Sequence, residues 1–108
     1  MEMPDSYKQF REEYPDIADA YEDLGEAVHE GGPLDPDIRV LVKLGMAIAS
    51  RLEGDVHSQV RKALALGIDP DEIRHVALLS ISTIGFPAAM AGLSWIEDIL
   101  EEIGPQRA

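Results

Sequence analysis

Apolar residues along this chain recur at intervals of three and four, strict alternation is absent, and glycine or proline interrupts the pattern at helix-length intervals. That periodicity predicts an all-helical protein, with six helices that each turn one side to a core. The first is expected over residues 4–14, stopped by Pro15, whose fixed φ suits the N1 position of the second. The second runs to about Glu30, with Ile17, Ala20, Tyr21, Leu24 and Val28 on one face and Asp19, Glu22, Asp23 and Glu26 opposite as its solvated side. Gly31-Gly32-Pro33 ends it.

Asp35 as N-cap and Pro36 at N1 open a third helix through Leu41, Leu44 and Ile48 to about Leu52, with Gly54 as its expected stop. Asp55 is then the expected cap of a fourth helix to Leu66, closed by Gly67 in a left-handed position. Asp69-Pro70-Asp71-Glu72 repeats the cap, proline and acid signature and starts a fifth helix reaching Ile84. Gly85-Phe86-Pro87 is the hinge into a sixth over residues 87–103. That helix is rich in small residues at first (Ala88, Ala89, Ala91, Gly92) and amphipathic later (Trp95, Ile96, Ile99, Ile103). Residues 104–108 read as a frayed tail. Met46, Met90 and Trp95 fit apolar faces and are expected in the core. Helices five and six are apolar around most of their circumference, which predicts a homo-oligomer; the alternative is that they form the centre of a monomeric bundle.

A length of 108 residues predicts a single domain over residues 1–108, because a second core would leave each unit too small to stabilise itself. The chain holds 9 Lys+Arg against 21 Asp+Glu, net charge -12, which opposes attraction to nucleic acid and to anionic membranes. Most of that charge lies in the first third, where residues 1–37 carry 12 acids and 2 bases. With 0 cysteines, the chain by itself has no disulfide, thiolate metal site or thiol redox cycle. Residues 76–96 are uncharged, but Gly85-Phe86-Pro87 breaks the run and neither end is basic, so no membrane span is expected. Residues 1–9 lack a basic region followed by an apolar stretch, and the expectation is a cytoplasmic protein. His29, His57 and His75 lack the i, i+4 pairing of a helical zinc site, so neither a metal nor another cofactor is expected; His29 reads as a favourable partner of the dipole at the end of the second helix, and His75 as a surface or interface residue.

Several linked features carry a resemblance over residues 33–99. They are Pro33-Leu-Asp-Pro36 leading into Arg39-Val-Leu-Val-Lys43, the run from Arg51 to Gly67, the turn Gly67-x-x-x-Asp71-Glu72-Ile73, and Ile84-Gly-Phe-Pro-Ala-Ala89. In this order and spacing they resemble the carboxymuconolactone decarboxylase and alkyl hydroperoxidase D-like family, with residues 1–32 as acidic helices ahead of the family core. The resemblance implies a six-helix, all-α alkyl hydroperoxidase D-like bundle assembling as a homotrimer or homohexamer, with its pocket where the motif helix meets neighbouring subunits. Redox members carry a Glu on the preceding helix and then Cys-x-x-Cys-x-x-x-His; counted back from Gly67, those positions hold Val40, Leu52, Asp55 and Gln59. None supplies a thiolate or a proton relay, so thiol peroxidase activity is expected to be lost.

Decarboxylase members also lack the cysteine pair and act on lactone carboxylic acids, with a His at the position of Gln59. Here the imidazole sits at His57, about 200 degrees away around a helix. Two readings stay open. In one, a cofactor-free decarboxylase or related lyase binds a small carboxylate through Arg61 or the free N–H groups of the helix start, near Asp55. His57 is then general acid or base, and Gln59 hydrogen-bonds the developing enolate. In the other, Asp55 is a helix cap, Gln59 a satisfied buried polar group, and His57 and Arg61 a solvated or interface pair, in a noncatalytic oligomeric binding or scaffold protein.

Overall fold

The computed structural model of this chain describes residues 5–103, and among them it contains six α-helices and no strand. They are α1 (Asp5–Glu13), α2 (Pro15–Glu30), α3 (Pro36–Ala49), α4 (Glu53–Ala65), α5 (Pro70–Ile84) and α6 (Phe86–Ile103). Pro4 as a helix start and the tail 104–108 lie outside the described residues. The chain divides into two compact units, Met1–Leu34 and Asp35–Ala108.

In the first unit α1 and α2 pair through polar side chains. Tyr7 Oη donates to Glu22 at 2.6 Å, and Arg11 donates to Asp19 at 2.6 Å and to Glu22 as well. Ala18 is fully buried, whereas the stripe of Ile17, Tyr21, Leu24 and Val28 is 58–65% exposed. The sequence pattern pointed that stripe inward and its acids outward. The acids are exposed as expected, with Arg11 and Tyr7 donating to Asp19 and Glu22, but the apolar stripe is exposed as well.

The Tyr7 hydrogen bond, reinforced by Arg11, holds the Glu22 carboxyl below its ordinary value. A lowered pKa means the charged carboxylate is favoured in the folded state. Its contribution is therefore present above the unfolded value and lost as pH falls through the folded one. Tyr7→Phe is expected to move Glu22 titration upward toward the usual carboxylate range, measured by carbon NMR of the carboxyl group; an unmoved curve would show that this bond does not form in solution.

The second unit is a four-helix arrangement. α5 and α6 run along each other, α3 packs on α4 and α5, and α4 packs on α6. The core is Leu44 and Ile48 of α3, Val56, Val60 and Ala63 of α4, Ile73 and Ala77 of α5, and Ile96 and Ile99 of α6, all 0–1% exposed. Trp95 is half-buried against it, as expected, but Met46 is 63% exposed. Met46 belongs instead to an outward row on α3 with Ile38 and Val42, four residues apart.

Helix boundaries follow backbone chemistry that glycine alone does not mark. Asp69 caps α5 as expected, accepting from Asp71 N–H at 2.7 Å while Glu72 reaches back to the Asp69 N–H. α4 ends in Gly67 (φ 82), with Gly67 N–H bonded to Leu64 C=O and Ile68 N–H to Ala63 C=O. α3 ends by the same double bond, Arg51 N–H to Ile48 C=O and Leu52 N–H to Ala47 C=O, but its left-handed residue is Arg51 (φ 59). This corrects the boundary read from Gly54 and Asp55: both lie inside the first turn of α4, whose N-cap is Leu52. An L-residue in that conformation is strained by about 1–2 kcal/mol. Arg51→Gly is therefore expected to stabilise the fold by on the order of 0.5–1 kcal/mol after the entropy cost of glycine, measured by urea denaturation.

Candidate functional site

The four candidate residues occupy successive turns of α4 and separate onto different faces. Gln59 faces the core with Val56, Val60 and Ala63 and is only 3% exposed. Its amide donates to Asp55 Oδ1 at 3.3 Å, one turn earlier at the exposed end of the helix. Asp55 thus satisfies a buried side-chain amide and makes no helix cap.

His57 and Arg61 lie on the side turned to α6, four residues apart. His57 Nε2 stands 3.1 Å from Asp98 Oδ2, and Arg61 Nη2 is 3.3 Å from both carboxylate oxygens of Glu102. Two i, i+4 rows therefore face each other, His57 and Arg61 on α4 against Asp98 and Glu102 on α6. Glu53 extends the α4 row by one turn, and a ligand atom from each of Glu53, His57 and Asp98 lies within 4.8 Å of the others. The expectation of no metal weighed histidine spacing alone, so it did not include this mixed group. Further round α6, Arg74 of α5 grips Glu97 with Nε at 2.7 Å and Nη2 at 3.1 Å, and also reaches Asp71 at 2.9 Å. Glu97 holds that guanidinium charged, pushing its pKa up.

A concavity of this unit lies between α3 and α5. It is an open groove of about 310 Å³ walled by Leu41, Val42, Val76, Leu79 and Ile84. Ser80 and Thr83 also line it, but their hydroxyls donate to the backbone carbonyls of Ala77 and Leu79 on their own helix. The groove consequently offers apolar surface, and none of Asp55, His57, Gln59 and Arg61 borders it.

The positions that the resemblance aligns with a thiol relay differ in burial. Val40 is core, Gln59 is buried, Leu52 is 52% exposed at the α4 N-cap, and Asp55 is exposed. Sequence reasoning missed Asp98, Glu102 and Glu53 as partners of the α4 row. The signal was the four-residue repeat of Asp98 and Glu102, legible only once α4 and α6 are known to touch. Among the described residues no helix is long and apolar enough to cross a membrane.

Comparison with known proteins agrees with this architecture. The model of the carboxymuconolactone decarboxylase family matches residues 15–98. An uncharacterized protein of Haemophilus influenzae is 33% identical over 58 residues, covering 54% of this chain and 51% of that protein. The chain thus spans about half the length of the curated relative it matches.

Proposed function

Because this chain belongs to the carboxymuconolactone decarboxylase family, we propose that it uses that family's scaffold as a self-assembling, noncatalytic binding protein. The supporting observation is where its apolar surface lies. Ile38, Val42 and Met46 on α3, Leu78 and Leu79 on α5, and Phe86 at the start of α6 are 42–63% exposed, and an apolar groove runs between α3 and α5. A soluble monomer rarely leaves this much large aliphatic and aromatic surface in water, and a symmetric assembly covers it by placing like patches together. The candidate catalytic side chains support the same reading, since His57 and Arg61 are engaged by acids of α6 and Gln59 is turned into the core. The chain also lacks any cysteine for a thiol relay.

Sedimentation at micromolar concentration is expected to give a species three or six times the 11.8 kDa chain mass. A lone 11.8 kDa species sinks the proposal.

A lyase is the second reading, favoured by one observation: Gln59 is the buried polar residue among those described, and it is tied to Asp55 near an uncapped helix start. There Arg61 or the first free N–H groups of α4 would hold a small carboxylate, His57 would exchange the proton, and the Gln59 amide, oriented by Asp55, would donate to the enolate left by carbon dioxide loss. A thermal-shift screen with lactone, keto and hydroxy acids tests it, with His57→Ala as control. A ligand present at a hundred times its Kd raises stability by about 2.7 kcal/mol. No shift with any acid removes this reading while leaving assembly untouched.

A further inference from the structure

We propose that Glu53, His57 and Asp98 form a binding site for a divalent first-row transition ion of borderline softness, for which Zn2+ is the probe. Each residue brings one ligand atom, and the three lie within 4.8 Å of one another, with His57 Nε2 and Asp98 Oδ2 at 3.1 Å. In a tetrahedral zinc site with bonds near 2.0–2.1 Å, ligand atoms stand about 3.4 Å apart. The His57–Asp98 pair already has that spacing. The widest pair closes by at most about 1.4 Å to reach it, a movement available to the exposed Glu53 side chain. Glu53 and His57 share one face of α4, Asp98 comes from α6, and both helices are anchored by fully buried neighbours, Val56 and Val60 on one and Ile96 on the other.

One turn along, the same two helices show what an ordinary ion pair looks like: the guanidinium of Arg61 answers the single carboxylate of Glu102. At His57 two carboxylates converge on one imidazole. Even protonated, that ring carries one positive charge against two negative ones, and carboxylates this close repel. A dication between them replaces the repulsion with coordination. One nitrogen and two oxygens suit zinc, cobalt or manganese; the set lacks the thiolates that select Cu(I) and the six to eight oxygens that Ca2+ takes. Glu53 and Asp98 are both exposed, so the remaining position opens to solvent and admits water or an anion. The site does not depend on assembly. It does compete with the lyase role of His57, because a metal-bound Nε2 cannot exchange a proton.

The test titrates the full chain with zinc chloride by calorimetry while following the imidazole nitrogens by NMR. One ion per chain is expected, with the shift on His57 Nε2. Asp98→Asn and Glu53→Gln each weaken binding by about tenfold or more, and His57→Ala abolishes it. His75→Ala leaves it unchanged. Circular dichroism confirms the helices in each variant, and Glu53→Gln alters an exposed side chain that the core does not use. Zinc that binds Asp98→Asn at full strength, shifts His75 or His29 in place of His57, or fails to bind at millimolar concentration overturns the site.

Discussion

Gly92→Ala is expected to destabilise the protein by about 1–2 kcal/mol, although alanine is the better helix former by about 1 kcal/mol. Gly92 lies within α6 where it crosses Ile48 of α3. A Cβ placed there meets Ile48 Cγ2 at 2.7 Å, Cγ1 at 3.0 Å and Cδ1 at 3.3 Å. Ile48 is fully buried and has no space into which to withdraw. Ile48→Ala alone removes all three clashing atoms and leaves a cavity, at a cost of roughly 2–5 kcal/mol. In that background the sign of Gly92→Ala reverses: the added methyl fills part of the void and the helix propensity is recovered. A double-mutant cycle by chemical denaturation is expected to show a favourable coupling on the order of 2–3 kcal/mol. Stabilisation by Gly92→Ala in the wild-type background would falsify the close approach of α3 and α6.

Ile96→Ala and Leu79→Ser are expected to differ in kind, although both shorten an aliphatic side chain. Ile96 is fully buried in the second unit, so its truncation costs about 2–5 kcal/mol within the chain itself, whatever the protein concentration. Leu79 is 60% exposed at the rim of the α3–α5 groove. Its loss costs an isolated subunit less than about 0.5 kcal/mol. If that groove is covered by another copy, Leu79→Ser weakens association, and the apparent melting temperature falls most where protein is dilute. Thermal unfolding of both variants over a hundredfold range of concentration separates the two effects. A Leu79→Ser deficit independent of concentration contradicts assembly through this face.

Helix identity and number were legible in the linear order of residues because each signal is local. Proline at N1 of α2, α3 and α5, the Asp69 and Glu72 capping box, and Gly67 act within one or two turns, and the structure places them accordingly. The missed boundary, between α3 and α4, is local too. There a left-handed arginine does what glycine ordinarily does, and its identity gives no warning. For α2 the periodicity gave the solvated acidic face correctly, but the opposite apolar stripe is exposed as well, because a stripe says which residues share a side and is silent on what covers it.

Composition settled the absence of thiol chemistry outright, since no fold can supply a thiol that the chain lacks. Tertiary structure alone decided what His57 and Arg61 face. Their partners Asp98 and Glu102 lie 41 residues away in sequence, and only the packing of α4 on α6 brings the two rows into register. Sequence periodicity sets the direction of a side chain around its own helix; its neighbour in space depends on how helices cross, and that is set by the fit of Leu44, Ile48, Val56, Val60 and Ile96 in a shared core.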